Sequence, residues 1–344
     1  MNESKFGRSS MMKGTRRAAL CCVVVAAVLC LASAALAKTT LTALTVWNEE
    51  NYQTRGLALM AKRVSELTNG ELELRVEFGG TPGYRGRELL KAVGDGQLDI
   101  AEMVASNVAG DAPVLGLRTL PMMIADWDEV ALFDELAKPY YEAACRAKNQ
   151  RLLVISPWPF GGLWANKEVK AIADMQSLRL RSYDRNGALF AAAVGAQGLN
   201  VPYAEAYTSL ATGLIDSVIT SSISVREGKF YEACKYHMPI AFATASSITT
   251  INETSWAKLS PDQKKALETA SAEARAFLWD EVKKVVAEND RFCYDNGVTL
   301  VPVSDELRGE LVKAAASVAK DWLDNNKSAT DAIALYNEFM KAKK

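Results

Sequence analysis

One segment narrows the fold more than any other. From Ser260 to Gly297 the chain carries a single uninterrupted helical pattern. Ser260-Pro261-Asp262-Gln263 is a helix start: the serine can cap the first turn, proline suits the first helical position because its missing N–H is not needed there, and the glutamine can return a hydrogen bond to the cap. Leu267, Ala270, Ala274, Phe277, Val282, Val285 and Phe292 then recur on one face until Asn296-Gly297 ends the run. At 1.5 Å per residue, a helix over 261–295 is roughly 50 Å long. One lobe is too small to bury an apolar stripe of that length, so the helix is expected to run across two lobes.

The rest of the chain alternates strands and helices, which is the α/β pattern. Strands are expected at Leu41–Trp47, Glu71–Phe78, Leu98–Val104, Arg151–Ser156, Leu178–Tyr183, Gly198–Val201 and Leu214–Thr220. Helices are expected around Leu57, Met60, Val64 and Leu67, ending at Asn69-Gly70, and at Arg87–Val93, Ala188–Val194, Glu205–Thr212, Asp305–Asp324 and Ala329–Met340.

The first stretch reads as a processing signal. Lys5, Arg8, Lys13, Arg16 and Arg17 form a basic head, Ala18–Leu31 is apolar, and Ala35-Leu36-Ala37 is a small-residue cleavage site. The apolar run is shorter than the roughly 20 residues a spanning helix needs. Cleavage after Ala37 would begin the mature chain at Lys38 and make the protein periplasmic. The leader holds five Lys/Arg and one acidic residue, so residues 38–344 keep 35 basic and 40 acidic side chains, about −5 net. That balance argues against a nucleic-acid partner. Three of the six cysteines also lie in the leader. Cys145, Cys234 and Cys293 are too far apart in sequence for a metal cluster or redox pair, and one disulfide or three buried thiols both remain open.

Catalytic machinery is sparse. His237 is the only histidine, so there is no His-rich metal site, and neither G-x-S-x-G nor C-x-x-C occurs. Gly79-Gly80-Thr81-Pro82-Gly83-Tyr84-Arg85-Gly86 sits where phosphate loops sit but matches neither nucleotide fingerprint, and is read as a strand-to-helix turn. Glu49-Glu50 and Asp126 with Asp128 are read as loop charges. No cofactor and no metal is expected. Two features point to binding instead. Pro157-Trp158-Pro159-Phe160 follows directly on a strand, and in open α/β sheets ligands gather beyond the carboxyl ends of strands. Arg179 and Arg181 share one face of the strand Leu178–Tyr183. A buried arginine must find an anion, either a ligand carboxylate or a structural partner.

An ordered series of segments carries a resemblance over nearly the whole mature chain: Thr68-Asn69-Gly70-Glu71-Leu72, Glu88–Val93, Gly96-Gln97-Leu98-Asp99-Ile100, Leu120-Pro121, Ser177–Arg181, Val194-Gly195-Ala196, Ala206–Ser217, Lys229-Phe230-Tyr231-Glu232 and the long helix. Together they resemble the solute-binding proteins of TRAP (tripartite ATP-independent periplasmic) transporters, in the group named for four-carbon dicarboxylate uptake. The resemblance implies a two-lobed periplasmic binding protein fold with crossing hinge strands and a long spine helix. It places lobe I at 38–157 plus about 247–300, and lobe II at 158–246 plus about 301–344 with the C-terminal helices. It also implies a non-enzymatic protein that delivers a small organic acid to a membrane permease.

The family's carboxylate-binding arginine matches Arg181. Trp158, Phe160, Tyr183, Asn51, Ser106, Thr220, Ser221 and Ser222 are the expected companions. The chain departs from many relatives after Asp216-Ser217, where Val218-Ile219-Thr220-Ser221-Ser222 lacks a side-chain amide. With only one matching arginine and an aromatic loop, a monocarboxylate with an apolar or aromatic body is favoured over a dicarboxylate. Two other roles stay open: a periplasmic sensor for a membrane receptor, and an exported enzyme using Glu102 or Asp184 as acid or base.

Overall fold

The structure is a computed structural model that describes residues 38–79, 83–84, 86–110 and 112–343. The leader, its cleavage site and part of the Gly79–Gly86 turn lie outside the described residues. In chain order the elements are β1 Thr39–Leu44, α1 Tyr52–Leu67, β2 Leu72–Glu77, α2 Leu89–Gly94, β3 Ile100–Val104, α3 Trp127–Arg146, β4 Gln150–Phe160, β5 Gly162–Ala165, β6 Arg179–Ser182, α4 Arg185–Ala193, β7 Gln197–Asn200, α5 Tyr203–Ala211, β8 Ser217–Thr220, α6 Ser222–Glu227, β9 Tyr236–Met238, β10 Thr244–Asn252, α7 Glu253–Ala257, α8 Pro261–Asp295, β11 Thr299–Leu300, α9 Asp305–Asn325 and α10 Thr330–Ala342.

These elements build two lobes, each around one sheet. The first sheet has the order β2-β1-β3-β10-β4, and the second β11-β9-β5-β8-β6-β7. β1 is parallel to β2 and β3, while β10 runs antiparallel between β3 and β4. In the second sheet β6 is parallel to β7 and β8, and β5 is antiparallel to β8 and β9. Apolar side chains cover both faces of each sheet. The chain passes between the sheets from β4 through Gly161 into β5, and returns from β9 into β10. The two crossings are tied together: Gly161 N–H donates to Ala243 O and Phe242 N–H donates to Gly161 O, each at 2.9 Å.

The third crossing is the long helix α8, with the bounds expected from its caps. Ser260 Oγ accepts from Gln263 N–H at 3.2 Å, and Gln263 Oε1 accepts from Ser260 N–H at 3.1 Å. Leu267, Ala270, Ala274, Leu278, Val282 and Val285 pack into the first lobe, and Cys293 into the second. α1 lies so close along α8 that a Cβ on Gly56 would fall 2.6 Å from the Leu278 side chain; only glycine allows that approach.

Several local readings are corrected. The strand expected at Arg151–Ser156 continues through Trp158 to Phe160, because β10 offers it a long antiparallel partner. The register breaks between Thr244 and Ser246, next to the prolines that cannot donate to a ladder. Asp126 is no loop charge: it caps α3, accepting from the N–H groups of Asp128 and Glu129 at 3.0 and 2.9 Å. The C-terminal helix α10 packs with the first lobe, not the second. Ala332, Leu335 and Phe339 join its core, and the Phe339 ring meets Phe133 of α3 edge-on at 5.3 Å. Cys145, Cys234 and Cys293 are buried free thiols, whose pKa values burial pushes up to about 12.

Candidate functional site

A cleft of about 690 Å³ separates the two lobes. It lies beyond the carboxyl ends of β1, β3, β6, β7 and β8, where an α/β sheet offers loop backbone and helix starts to a ligand. Its volume is in the range of small-molecule sites, roughly 300–1,000 Å³.

Arg181, on β6, lies in its wall and is only 2% exposed. Its Nε–H donates to Val201 O at 2.9 Å. Among the described residues no carboxylate lies within ion-pair distance of its guanidinium. Burial lowers its pKa to about 10, against the lesser influence of Tyr203, Tyr183 and Asp184, which favour the charged form. An unpaired buried cation is costly, and an entering anion relieves that cost. Arg179 differs although it stands two residues away on the same face. It is exposed and pairs with Asp216, Nε to Oδ2 at 3.1 Å.

Aromatic rings form the apolar wall. Trp47, just past β1, and Trp158, on the crossing strand, approach at 4.7 Å between centroids. Tyr52 meets Trp158 edge-on at 5.4 Å, and Trp158 Nε1–H donates to Ser247 Oγ at 2.8 Å, so its indole is held from two sides. Tyr203 opens α5 in the second lobe and contacts Trp47 at 5.3 Å across the cleft.

The polar wall contains unspent groups. Asp184 follows β6 and caps α4, its Oδ1 accepting from Gly187 N–H at 3.0 Å. Its Oδ2 is buried without a hydrogen-bond partner, as are the hydroxyls of Ser106 and Ser221. Burial raises the Asp184 pKa, while the hydroxyls of Thr119 and Ser106, the Gly187 N–H and the Arg181 charge favour its ionised form. Among the described residues, no three His, Cys, Asp or Glu side chains group to hold a metal ion.

The structure brings Arg181, Trp158, Tyr183, Ser106, Thr220 and Ser221 together around this cleft. Asn51, Phe160 and Ser222 do not line it. Asn51 Oδ1 caps α1 through Gln53 N–H at 2.9 Å, and its Nδ2 donates to both carboxylate oxygens of Glu227 in the other lobe, at 3.0 and 2.9 Å. The Phe160 ring turns to Trp127, edge-on at 5.6 Å: strict alternation would put it on the same face as Trp158, but the register break against β10 between Thr244 and Ser246 turns it away. Ser222 stands at the start of α6 beside Asp290 of the long helix, where its hydroxyl favours the ionised carboxylate. Glu102 is also outside the cleft: it is buried in β3 and accepts from Thr45 Oγ1 at 2.6 Å. Sequence reading missed Tyr203. Its one signal was Pro202-Tyr203 directly after a strand, at a carboxyl end.

Residues 44–325 match the family described as bacterial extracellular solute-binding protein, family 7. The 2,3-diketo-L-gulonate-binding periplasmic protein YiaO of Escherichia coli is 28% identical over 257 residues, covering 72% of this chain and 76% of that protein. Among solved structures, DctP6, a Bordetella pertussis extracytoplasmic solute receptor binding pyroglutamic acid, is 27% identical. It superposes with a TM-score of 0.83 over 88% of this chain and 100% of its own. A marine metagenome TRAP solute-binding protein specific for pyroglutamate is 26% identical, with a TM-score of 0.83 over 88% of this chain and 99% of its own. With two lobes, crossing strands, a spine helix and a family match that spans most of its length, the chain belongs to the family 7 extracellular solute-binding proteins, the binding components of TRAP transporters.

Proposed function

We propose that this protein captures a compact monocarboxylate in the periplasm, holds its carboxylate on Arg181, and hands it to a TRAP membrane permease without chemical change. The observation that carries this reading is the buried Arg181 guanidinium, which faces the interlobe cleft with no carboxylate partner among the described residues. Guanidinium and carboxylate match through two parallel hydrogen bonds. Trp158, Trp47, Tyr183 and Tyr203 supply flat apolar faces for the body of the ligand, and Ser106, Thr220 and Ser221 supply hydroxyls. That combination favours one carboxylate on a small ring or short apolar frame over a four-carbon dicarboxylate, which would need a second cation. The pyroglutamate bound by the two superposed structures is an acid of this kind.

The leader at 1–37, cleaved after Ala37, belongs to the same reading, as does hinge closure of the two lobes about the crossing strands. No helix among the described residues is long and apolar enough to cross a membrane. A thermal-shift screen over organic acids tests the function. A true ligand at a hundredfold excess over its Kd stabilises the protein by about 2.7 kcal/mol. Silence from every monocarboxylate, oxo acid and sugar acid would remove the reading.

A further inference from the structure

The cleft has a second pole. Asp184 Oδ2 is a buried acceptor with no partner, on a side chain 3% exposed and already locked by its Oδ1 to Gly187 N–H. Ser106, whose hydroxyl favours the ionised form of Asp184, stands near it from the other lobe, at the end of β3. Arg181 lies close enough for its charge to act on Asp184, yet the two form no ion pair. A cation and an anion that face one cleft and decline each other leave room between them for a molecule that presents both an anion and a donor. A bare carboxylate would satisfy Arg181 and leave Asp184 both unpaired and repelled, which a buried site tolerates poorly.

We infer that Asp184 is a specificity-determining residue that accepts a hydrogen bond from an N–H or O–H group next to the ligand's carboxylate, so the ligand is a donor-bearing acid such as a lactam or 2-hydroxy acid. This rests on the carboxylate reading of Arg181. Such a ligand touches Asp184 of one lobe while Ser106 of the other closes on the same region, so reading the donor also helps draw the lobes together. Ligands without the donor leave a buried acceptor unpaired.

A matched pair of acids tests it: pyroglutamate, and 5-oxotetrahydrofuran-2-carboxylate, in which a ring oxygen replaces the N–H. Titration calorimetry on the wild-type protein is expected to show pyroglutamate binding roughly ten- to a hundredfold more tightly, the value of a hydrogen bond to a charged group. L-lactate against methoxyacetate extends the comparison to an O–H donor. Asp184→Asn keeps the helix cap, since asparagine caps as well as aspartate; it turns an amide towards the ligand and is expected to erase the preference. Arg181→Met is expected to weaken both lactam and lactone. Equal binding of the two by the wild-type protein, with Arg181→Met losing both, would overturn the role of Asp184 and leave the carboxylate reading standing. A preference that survives in Asp184→Asn would also overturn it. Failure of all four acids to bind would overturn both, and the wild-type comparison needs no variant to fold.

Discussion

Arg181→Met separates a ligand-binding arginine from a structural one by moving two quantities in opposite directions. In the empty protein the guanidinium is buried, holds Val201 O through its Nε, and has no anion within ion-pair distance among the described residues. Methionine fills much of the same space without charge. Its cost is the unpaired Val201 carbonyl, about 1 kcal/mol, together with the loss of a charge that favours ionised Asp184. Its gain is relief of a buried charge; even a paired buried ion replaced by an apolar side chain is often stabilising by about 1–4 kcal/mol. The empty variant is therefore expected to be as stable as wild type or up to about 3 kcal/mol more stable, at roughly 2 °C of Tm per kcal/mol. Binding moves the other way. Removing one partner of a buried charge pair costs about 2–5 kcal/mol, a loss of roughly thirtyfold to several thousandfold in affinity. Melting curves should cross: without acid the variant melts at or above wild type, and with saturating acid wild type melts higher. Arg179→Ala is the control, since its exposed pair with Asp216 is worth about 0–1 kcal/mol, and affinity should not change. An Arg181→Met protein that keeps its affinity, or that melts well below wild type when empty, refutes the reasoning.

Tyr203→Ala removes the ring that meets Trp47 across the cleft; at about 0.5–1.5 kcal/mol for an aromatic pair, affinity should fall roughly three- to tenfold, read by calorimetry. Glu227 bridges to Asn51 of the other lobe and has its pKa raised to about 7, by burial first and by Glu50, against Asn51, Arg226 and Arg55. A carboxyl raised in the folded state gives its full stability below its ordinary 4.5 and loses it as the pH climbs through 7. Glu227→Gln should thus flatten the fall in melting temperature between those values, and an unchanged slope would exclude Glu227 as its source. His237 is lowered to about 4 by burial, stacks on Trp164 at 3.7 Å, and meets Tyr294 OH at 2.8 Å; it stays neutral in the fold while the unfolded chain takes up a proton, so stability is lost as pH falls from 6.5 towards 4, and His237→Phe should reduce acid sensitivity in that window. Gly198→Ala would set a Cβ 2.2 Å from the Ala188 carbonyl oxygen, where β7 lies on α4, and should cost about 1–3 kcal/mol in urea unfolding.

What the sequence determined alone is what neighbouring residues decide. The bounds of α8 follow from Ser260, Pro261, Gln263 and Asn296-Gly297, whose caps form within one turn, and the helix length in turn demanded two lobes. Alternation along β6 put Arg179 and Arg181 on one face. The family-like segments identified the fold and marked Arg181. Tertiary structure decided which of those two arginines is paired, because Asp216 reaches only the outer one and burial separates them. It decided that β10 exists as a strand: Thr244-Ala245-Ser246-Ser247-Ile248-Thr249-Thr250-Ile251-Asn252 is too polar to announce a core strand, and becomes one only when β3 and β4 satisfy its backbone from both sides. It moved Asn51, Phe160, Ser222 and Glu102 out of the cleft, kept Asp184 in it, and brought in Tyr203. A side chain's type is local, but its direction and its partners depend on contacts between segments 50 to 200 residues apart, and those contacts exist only once both lobes have formed.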